Sequence, residues 1–287
     1  MKVGLMGLPS SGKTTLFNLL TGQTADTTPF ASGKKEINLG SVMVPDTRLD
    51  RLVELNQPKK ITHTEISFVD LAGLPNSDDR KGIDDMIPHL RDADALTLVV
   101  RDFDNASAPA ALGKVNCVSE LNSVKADLIF ADLNTAEKRL ERLEREKRSG
   151  DKDKIREYEI FEKAKEMLEN EQFLSEMKLE PHDEKLIVGY GLLTKKRYVV
   201  LHNFGEGRGE VPAELAAEAA SMGAPLVSMN ALLEHEVMEI PEEERAEYCE
   251  SLGIEGDARD KFVRAAYDAL NLISFFTAGP KEVRAWT

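Results

Sequence analysis

An α/β fold built on a mostly parallel sheet is what this sequence predicts, on three observations. Short apolar runs of buried-strand length recur along the chain: Lys2 to Met6, Ile37 to Val44, Ile61 to Val69, Ala95 to Val100, Tyr198 to His202 and Pro225 to Val227. Helical patterns alternate with them, the order of a parallel sheet whose crossovers cover its faces. The first run leads straight into Gly7-Leu-Pro-Ser-Ser-Gly-Lys-Thr14, which fits Gly-x-x-x-x-Gly-Lys-Ser/Thr, a loop that wraps phosphate groups between a strand and a helix. Sheets of this kind hold their ligands at the carboxyl ends of the strands.

The first element carries the chemistry. Small residues at Gly7, Ser10, Ser11 and Gly12 let successive backbone N–H groups turn toward phosphate oxygens, while Lys13 supplies a point charge and Thr14 offers a hydroxyl to Mg²⁺. The helix from Thr14 to Leu20, with Thr15 in its first turn, aims its N-terminus at the same anion. A nucleotide-binding protein follows. After the run ending at Val69 comes Asp70-Leu-Ala-Gly73. An Asp at a strand end beside a phosphate loop can hold the Mg²⁺ shell, and a Gly three residues on can turn its N–H to the γ-phosphate. Asp-x-x-Gly is a common tetrapeptide, and its weight here comes from its place directly after a strand, as in switch-type P-loop NTPases. Lys13, Asp70 and Gly73 are therefore the candidate catalytic residues.

The strand Tyr198 to His202 ends in Asn203-Phe-Gly-Glu206, where a guanine-reading domain would carry Asn-Lys-x-Asp. An Asp accepts from guanine N1–H and the exocyclic amine, and a Glu in its place need not reproduce that pairing. Asn203, Phe204 and Glu206 are candidate base contacts, joined by Ser228 and Met229 after the last apolar run. On the residues alone the choice between ATP and GTP stays open, as does a turn without nucleotide contact.

The stretch from about Val118 to Met177 breaks the α/β alternation. It is rich in Glu, Lys and Arg and places Leu121, Val124, Leu128, Ala131, Ala136, Leu140 and Leu143 at helical steps. Ile155, Tyr158, Phe161, Lys165 and Leu168 continue the pattern after the turn Ser149 to Asp153. Two long helices folding back as a coiled-coil hairpin account for it. From Lys138 to Arg156 nine Lys or Arg stand against five Asp or Glu, a local basic excess in a chain of net charge −14. That tip reads either as a solvated face laced with ion pairs or as a contact surface for RNA or an acidic partner.

A length of 287 residues with 41% hydrophobic content suits about two domains with a large core. No apolar run approaches a membrane span and no signal-peptide core follows Lys2, so a cytoplasmic protein with no membrane partner is expected. Cys117 and Cys249 are far apart, and the five histidines show no ligand spacing. Neither a disulfide framework nor a dedicated protein metal site is expected, and Mg²⁺ should arrive with the nucleotide.

The chain resembles the YchF/Obg-like ATPases, a branch of the translation-associated P-loop GTPases. The resemblance covers almost its whole length and rests on GLPSSGKTTLFNLLTG from Gly7, PFAS at Pro29, VMVPDTRLDRL from Val42, FVDLAGLP from Phe68, VVRDFDN from Val99, GKVN from Gly113, HNFGE at His202 and FFTAGPKEVRAWT from Phe275. It implies a G domain (1–112 and 191–272) interrupted by a helical hairpin (113–190), with 273–287 opening a TGS-like domain that would stop inside its first strand. It also implies a preference for ATP through Asn203 and Glu206, slow hydrolysis, Mg²⁺ held by Thr14, Asp70 and Ser32, and association with the ribosome or a translation factor. Leu74 fits the hydrophobic residue that in this family replaces a water-orienting Gln. The chain departs from the pattern at Ser10 (Asn in the family), at Ser32 (Thr), in a shortened switch II (75–81), and at Ala110, where the family carries a His implicated in hydrolysis. Two alternatives stay open: a GTPase, and a binding module with negligible turnover.

Overall fold

The computed structural model describes residues 1–25, 37–71, 87–104, 115–251 and 258–287. Its first part runs β1 (Lys2–Met6), α1 (Lys13–Thr21), β2 (Ile37–Met43), α2 (Thr47–Asn56), β3 (Ile61–Thr62), β4 (Glu65–Leu71) and β5 (Ala95–Asp102). Two long helices follow, α3 (Cys117–Glu146) and α4 (Lys152–Glu169), then the short α5 (Pro181–Ile187). The chain returns through β6 (Arg197–Phe204), α6 (Ala213–Ser221), β7 (Leu226–Met229), α7 (Ala231–Glu239), α8 (Glu242–Ser251) and α9 (Ala258–Ala269), and ends in β8 (Phe275–Ala278) and β9 (Val283–Trp286).

The main sheet has the order β2-β4-β1-β5-β6-β7. Every described pairing in it is parallel except β2 against β4, so the expected architecture holds. Its central strands read as unbroken apolar runs because both faces are covered. Leu96, Leu98 and Val100 of β5 and Tyr198 and Val200 of β6 face Leu121, Val124 and Leu128 of α3 and Leu215 of α6. The alternate residues Ala95, Val99, Val199 and Leu201 pack with Leu16, Phe17 and Leu20 of α1 and Phe262, Val263 and Ala266 of α9. Each fully buried Leu or Phe in these layers is worth roughly 1.5–3 kcal/mol.

The run Ile61 to Val69 does not form one strand. Val44 N–H donates to Thr64 O, and the two residues of β3 leave the main sheet to pair with Val283 and Arg284 of β9. A three-stranded sheet β3-β9-β8 results, seated on α2 through Leu49, Val283 and Ala285. Residues 275–286 are thus a complete hairpin, closed where Gly279 N–H donates to Glu282 O, and not a single opening strand.

The hairpin of α3 and α4 is present. Asn116 caps α3 through Ser119 N–H, and Asp151 caps α4 through Asp153 N–H and Lys154 N–H, after a left-handed Gly150 (φ 78) that only glycine adopts freely. The helices run antiparallel, tied by Arg139 to Glu157 and Lys165 to Glu137. The buried face of α4 differs from the expected one: Glu157, Ile160, Phe161, Ala164 and Leu168 point inward, and Ile155 is exposed. A carboxylate displaces an apolar side chain from this seam because Arg139, Lys154 and Tyr190 all donate to Glu157. Farther along α3, buried Asp132 receives Leu193 N–H, Thr194 N–H and the Thr194 hydroxyl, pinning the return of the chain to the helix. Among the described residues no helix is long and apolar enough to cross a membrane.

Candidate nucleotide site

The loop between β1 and α1 is shaped by residues that no larger side chain could replace. A Cβ at Gly7 would lie 2.4 Å from Val99 O, and one at Gly12 would lie 2.2 Å from Asn203 Nδ2. Gly12 has φ 91 and Ser10 φ 61, so the chain turns through the left-handed region twice before α1 begins. Lys13 folds back over the loop and donates from Nζ to Gly7 O (2.9 Å) and Leu8 O (2.8 Å). Burial lowers its pKa to about 8, against the opposing pull of Asp70 and Glu120. An anion beside this ammonium restores its charged state.

Register brings the second motif to the first. β1 pairs β4 with Leu5 opposite Asp70, and Thr14 Oγ1 donates to Asp70 Oδ2 at 2.8 Å. Asn38 of β2 donates to the same oxygen at 3.3 Å. Asp70 Oδ1 and Ser11 Oγ are buried and have no hydrogen-bond partner among the described residues. Native interiors pair nearly all such atoms, and an unpaired oxygen beside a phosphate loop is one that a bound ion or water can complete. A hydroxyl and a carboxylate with an unshared oxygen are oxygen ligands that fit Mg²⁺, beside a loop whose N–H groups suit the phosphates that carry it.

Asn203 joins the base-reading motif to the loop. Its Nδ2 donates to Ser11 O (2.9 Å) and its Oδ1 accepts from Ala231 N–H (3.1 Å), so one buried side chain bridges β6, the phosphate loop and α7. Phe204 packs its ring 5.8 Å from that of His202, and Glu206 is exposed in the following turn. Ser228 Oγ lies 2.9 Å from His202 Nδ1, and Met229 puts its side chain into the core beneath α1. Thr15 is half-buried in the first turn of α1. The structure therefore gathers Gly7, Ser10, Ser11, Gly12, Lys13, Thr14, Asp70 and Asn203, and directs Met229 elsewhere. Ser32, Gly73, Leu74, the segment 75–81 and Ala110 lie outside the described residues.

Two groups of polar contacts here are invisible to motif reading. Glu120 of α3 accepts from Arg101 N–H and Nε, both at 3.0 Å, forming a buried pair next to Lys13. Burial holds the Glu120 carboxyl above its ordinary range even so. His202 Nε2 lies 3.1 Å from Asp102 Oδ2, and Arg208 pairs with Asp102 and Asp104. The β5–β6 register, which no sequence spacing encodes, sets His202 beside Asp102, and the packing of α3 on β5 brings Glu120 to Arg101.

A model of 50S ribosome-binding GTPases matches residues 2–149. The ribosome-binding ATPase YchF of Haemophilus ducreyi is 37% identical over the whole chain and 80% of that relative, and that of Bacillus subtilis 34% identical over the whole chain and 81% of that relative. The solved YchF GTPase of Schizosaccharomyces pombe superposes with a TM-score of 0.77 at 26% identity, covering all of this chain and 80% of that one. A phosphate loop, its Asp partner, an Asn bridge and a helical hairpin in one α/β frame agree with these matches, and the chain belongs to the YchF/Obg-like family of P-loop nucleotide-binding proteins.

Proposed function

We propose that this chain is a slow, Mg²⁺-dependent ATPase whose nucleotide state controls its association with the ribosome. The observation that carries the reading is the cluster of Lys13, Thr14 and Asp70, with two buried oxygens that no group among the described residues satisfies. Lys13 and the loop amides hold the phosphates and stabilise charge on the transferred phosphoryl group, which is an electrostatic mode of catalysis. When bound, Mg²⁺ supplies further neutralisation of that charge, held by Thr14 and Asp70, with Ser32 as the third candidate. Gly73 would turn its N–H to the γ-phosphate. Asn203 orients the base pocket through Ser11, and Glu206 in place of an Asp favours adenine.

The ribosome enters from the names of the relatives and from charge on the hairpin. Arg139, Lys147, Lys154 and Arg156 are ion-paired within the protein, whereas Lys138, Arg142, Arg145, Arg148 and Lys152 are exposed and make no ion pair among the described residues. Lys138, Arg142 and Arg145 share one face of α3, a row suited to RNA phosphates.

Calorimetric titration of the nucleotide-free chain with ATP and GTP analogues in Mg²⁺ tests the base preference. Tighter ATP binding is expected, and tighter GTP binding would make this chain a GTPase instead. Multiple-turnover phosphate release should rise with added ribosomes. A flat response would favour a binding module without turnover, the reading to which Ala110 and Leu74 lend support. Replacing Arg142 and Arg145 by Glu should weaken ribosome co-sedimentation and reduce its salt dependence, and unchanged binding would remove the hairpin from the contact.

A further inference from the structure

A second cluster of ligand-type side chains lies on the face of the sheet that α3 covers. The β5–β6 register sets Val100 opposite His202 and Asp102 opposite Phe204, so Asp102 and His202 are diagonal neighbours on one face. Cys117 opens α3 above them. One ligand atom from each of Asp102, Cys117 and His202 lies within 4.8 Å of the other two. Around a tetrahedral zinc ion, bonds of about 2.0–2.3 Å imply ligand-to-ligand edges of about 3.3–3.6 Å. The His202 Nε2 to Asp102 Oδ2 separation is 3.1 Å, so the trio needs only small side-chain movements to reach that geometry.

We propose that Asp102, Cys117 and His202 form a zinc site with three protein ligands, beside the nucleotide loop and separate from the Mg²⁺ position. The donor set decides the metal: a thiolate and an imidazole select a borderline-soft ion such as Zn²⁺, whereas Mg²⁺ takes oxygen ligands. The surroundings have the outer partners such sites use. Ser228 Oγ at 2.9 Å from His202 Nδ1 leaves Nε2 facing Asp102, and Arg208 at 3.4 Å from Asp102 Oδ1 orients the carboxylate. His202 is fully buried, while the Asp102 side chain is 19% exposed, so the fourth coordination position opens to solvent past Asp102. Zinc there would tie β5, β6 and the first turn of α3 together, one residue from the Asn203 bridge.

The test uses the full chain, stripped with a chelator and free of nucleotide. Zn²⁺ is titrated against a chromophoric competitor, and Co²⁺ in parallel by optical absorption. One equivalent should bind, with thiolate-to-cobalt charge-transfer absorption in the wild-type chain. Cys117→Ser and His202→Gln should lose that absorption, and Cys249→Ser should keep it. Thermal unfolding of each metal-free variant establishes that it is folded. No thiolate-to-cobalt absorption in the wild-type chain overturns the proposal whatever the variants do. Absorption that survives Cys117→Ser and vanishes in Cys249→Ser overturns it as well.

Discussion

Two buried glutamates on the long helices, each paired with an arginine, behave in opposite ways. Glu120, at the sheet end of α3, has Arg101 as its hydrogen-bonding partner, and burial leaves its carboxyl above the ordinary range. Glu157, in the hairpin, is also pushed up by burial, but Arg139, Tyr190 and Lys154 together pull it below that range. The contrast extends to the neighbours. Near Glu120 stand a lysine whose charge is disfavoured and two buried oxygens without partners among the described residues, whereas near Glu157 the charges are matched within the protein. A buried polar group left unpaired costs about 1–3 kcal/mol. One end of the molecule carries that penalty where a ligand can relieve it; the other removes it by internal pairing and gains a fixed shape.

The sharpest way to break this comparison is at Lys13. Lys13→Met keeps the aliphatic stem and removes the charge, and should lower nucleotide affinity at least about a hundredfold in calorimetric titration. The free protein should be no less stable, since a shift from 10.5 to about 8 marks about 3 kcal/mol of disfavoured charge. A clear drop in its unfolding temperature would show that Lys13 serves the fold. Asp132→Ala should do the reverse. Stranding Leu193 N–H, Thr194 N–H and the Thr194 hydroxyl should cost about 3 kcal/mol in denaturant unfolding, with nucleotide affinity kept within about twofold. Arg139→Met leaves Glu157 with Lys154 and Tyr190, and a loss of about 2 kcal/mol is expected. A neutral result would mean that the hairpin network adds nothing to stability.

The smallest effect is a proton balance. Lys13 has a folded pKa below its unfolded value, so the unfolded chain binds more protons between about 8 and 10.5, and stability from this group rises with pH across that window. Phosphate beside Lys13 raises its pKa again. Nucleotide binding near pH 8.5 should therefore take up protons, visible as a buffer-dependent binding enthalpy that fades toward pH 6. Proton release would contradict the placement of phosphate at Lys13. At the other end, Glu157 with its lowered pKa contributes stability that is lost as pH falls below about 4.5. Hydrogen exchange should show α4 loosening there before the first turn of α3.

Legibility in the sequence followed locality. The phosphate loop could be read because its residues are consecutive and each has a backbone reason to be where it is. Asp70 could be read as well, yet its bond to Thr14 depends on the β1–β4 register. Three features depend on residues distant in the chain or on side-chain pairing. The apolar run at 61–69 hides a strand that changes sheets, because its partner β9 lies at the far end of the chain. The inward face of α4 departs from its apolar periodicity at Ile155, since a glutamate with three donors packs where periodicity expects an apolar group. The grouping of Asp102, Cys117 and His202 needs two strands and a helix before it exists.

The helix α3 runs unbroken for 30 residues, from Cys117 on the sheet to Glu146 at the basic tip. Such a rod is about 45 Å long, so a tilt of about 5° at its first turn sweeps the far end through roughly 4 Å. Glu120, one turn in, is joined to Arg101, which directly precedes Asp102 on a strand that ends at the site. Such a rod has the proportions of a pointer: were its sheet end to tilt by that much, Arg142 and Arg145 near its far end would move by more than the width of an atom.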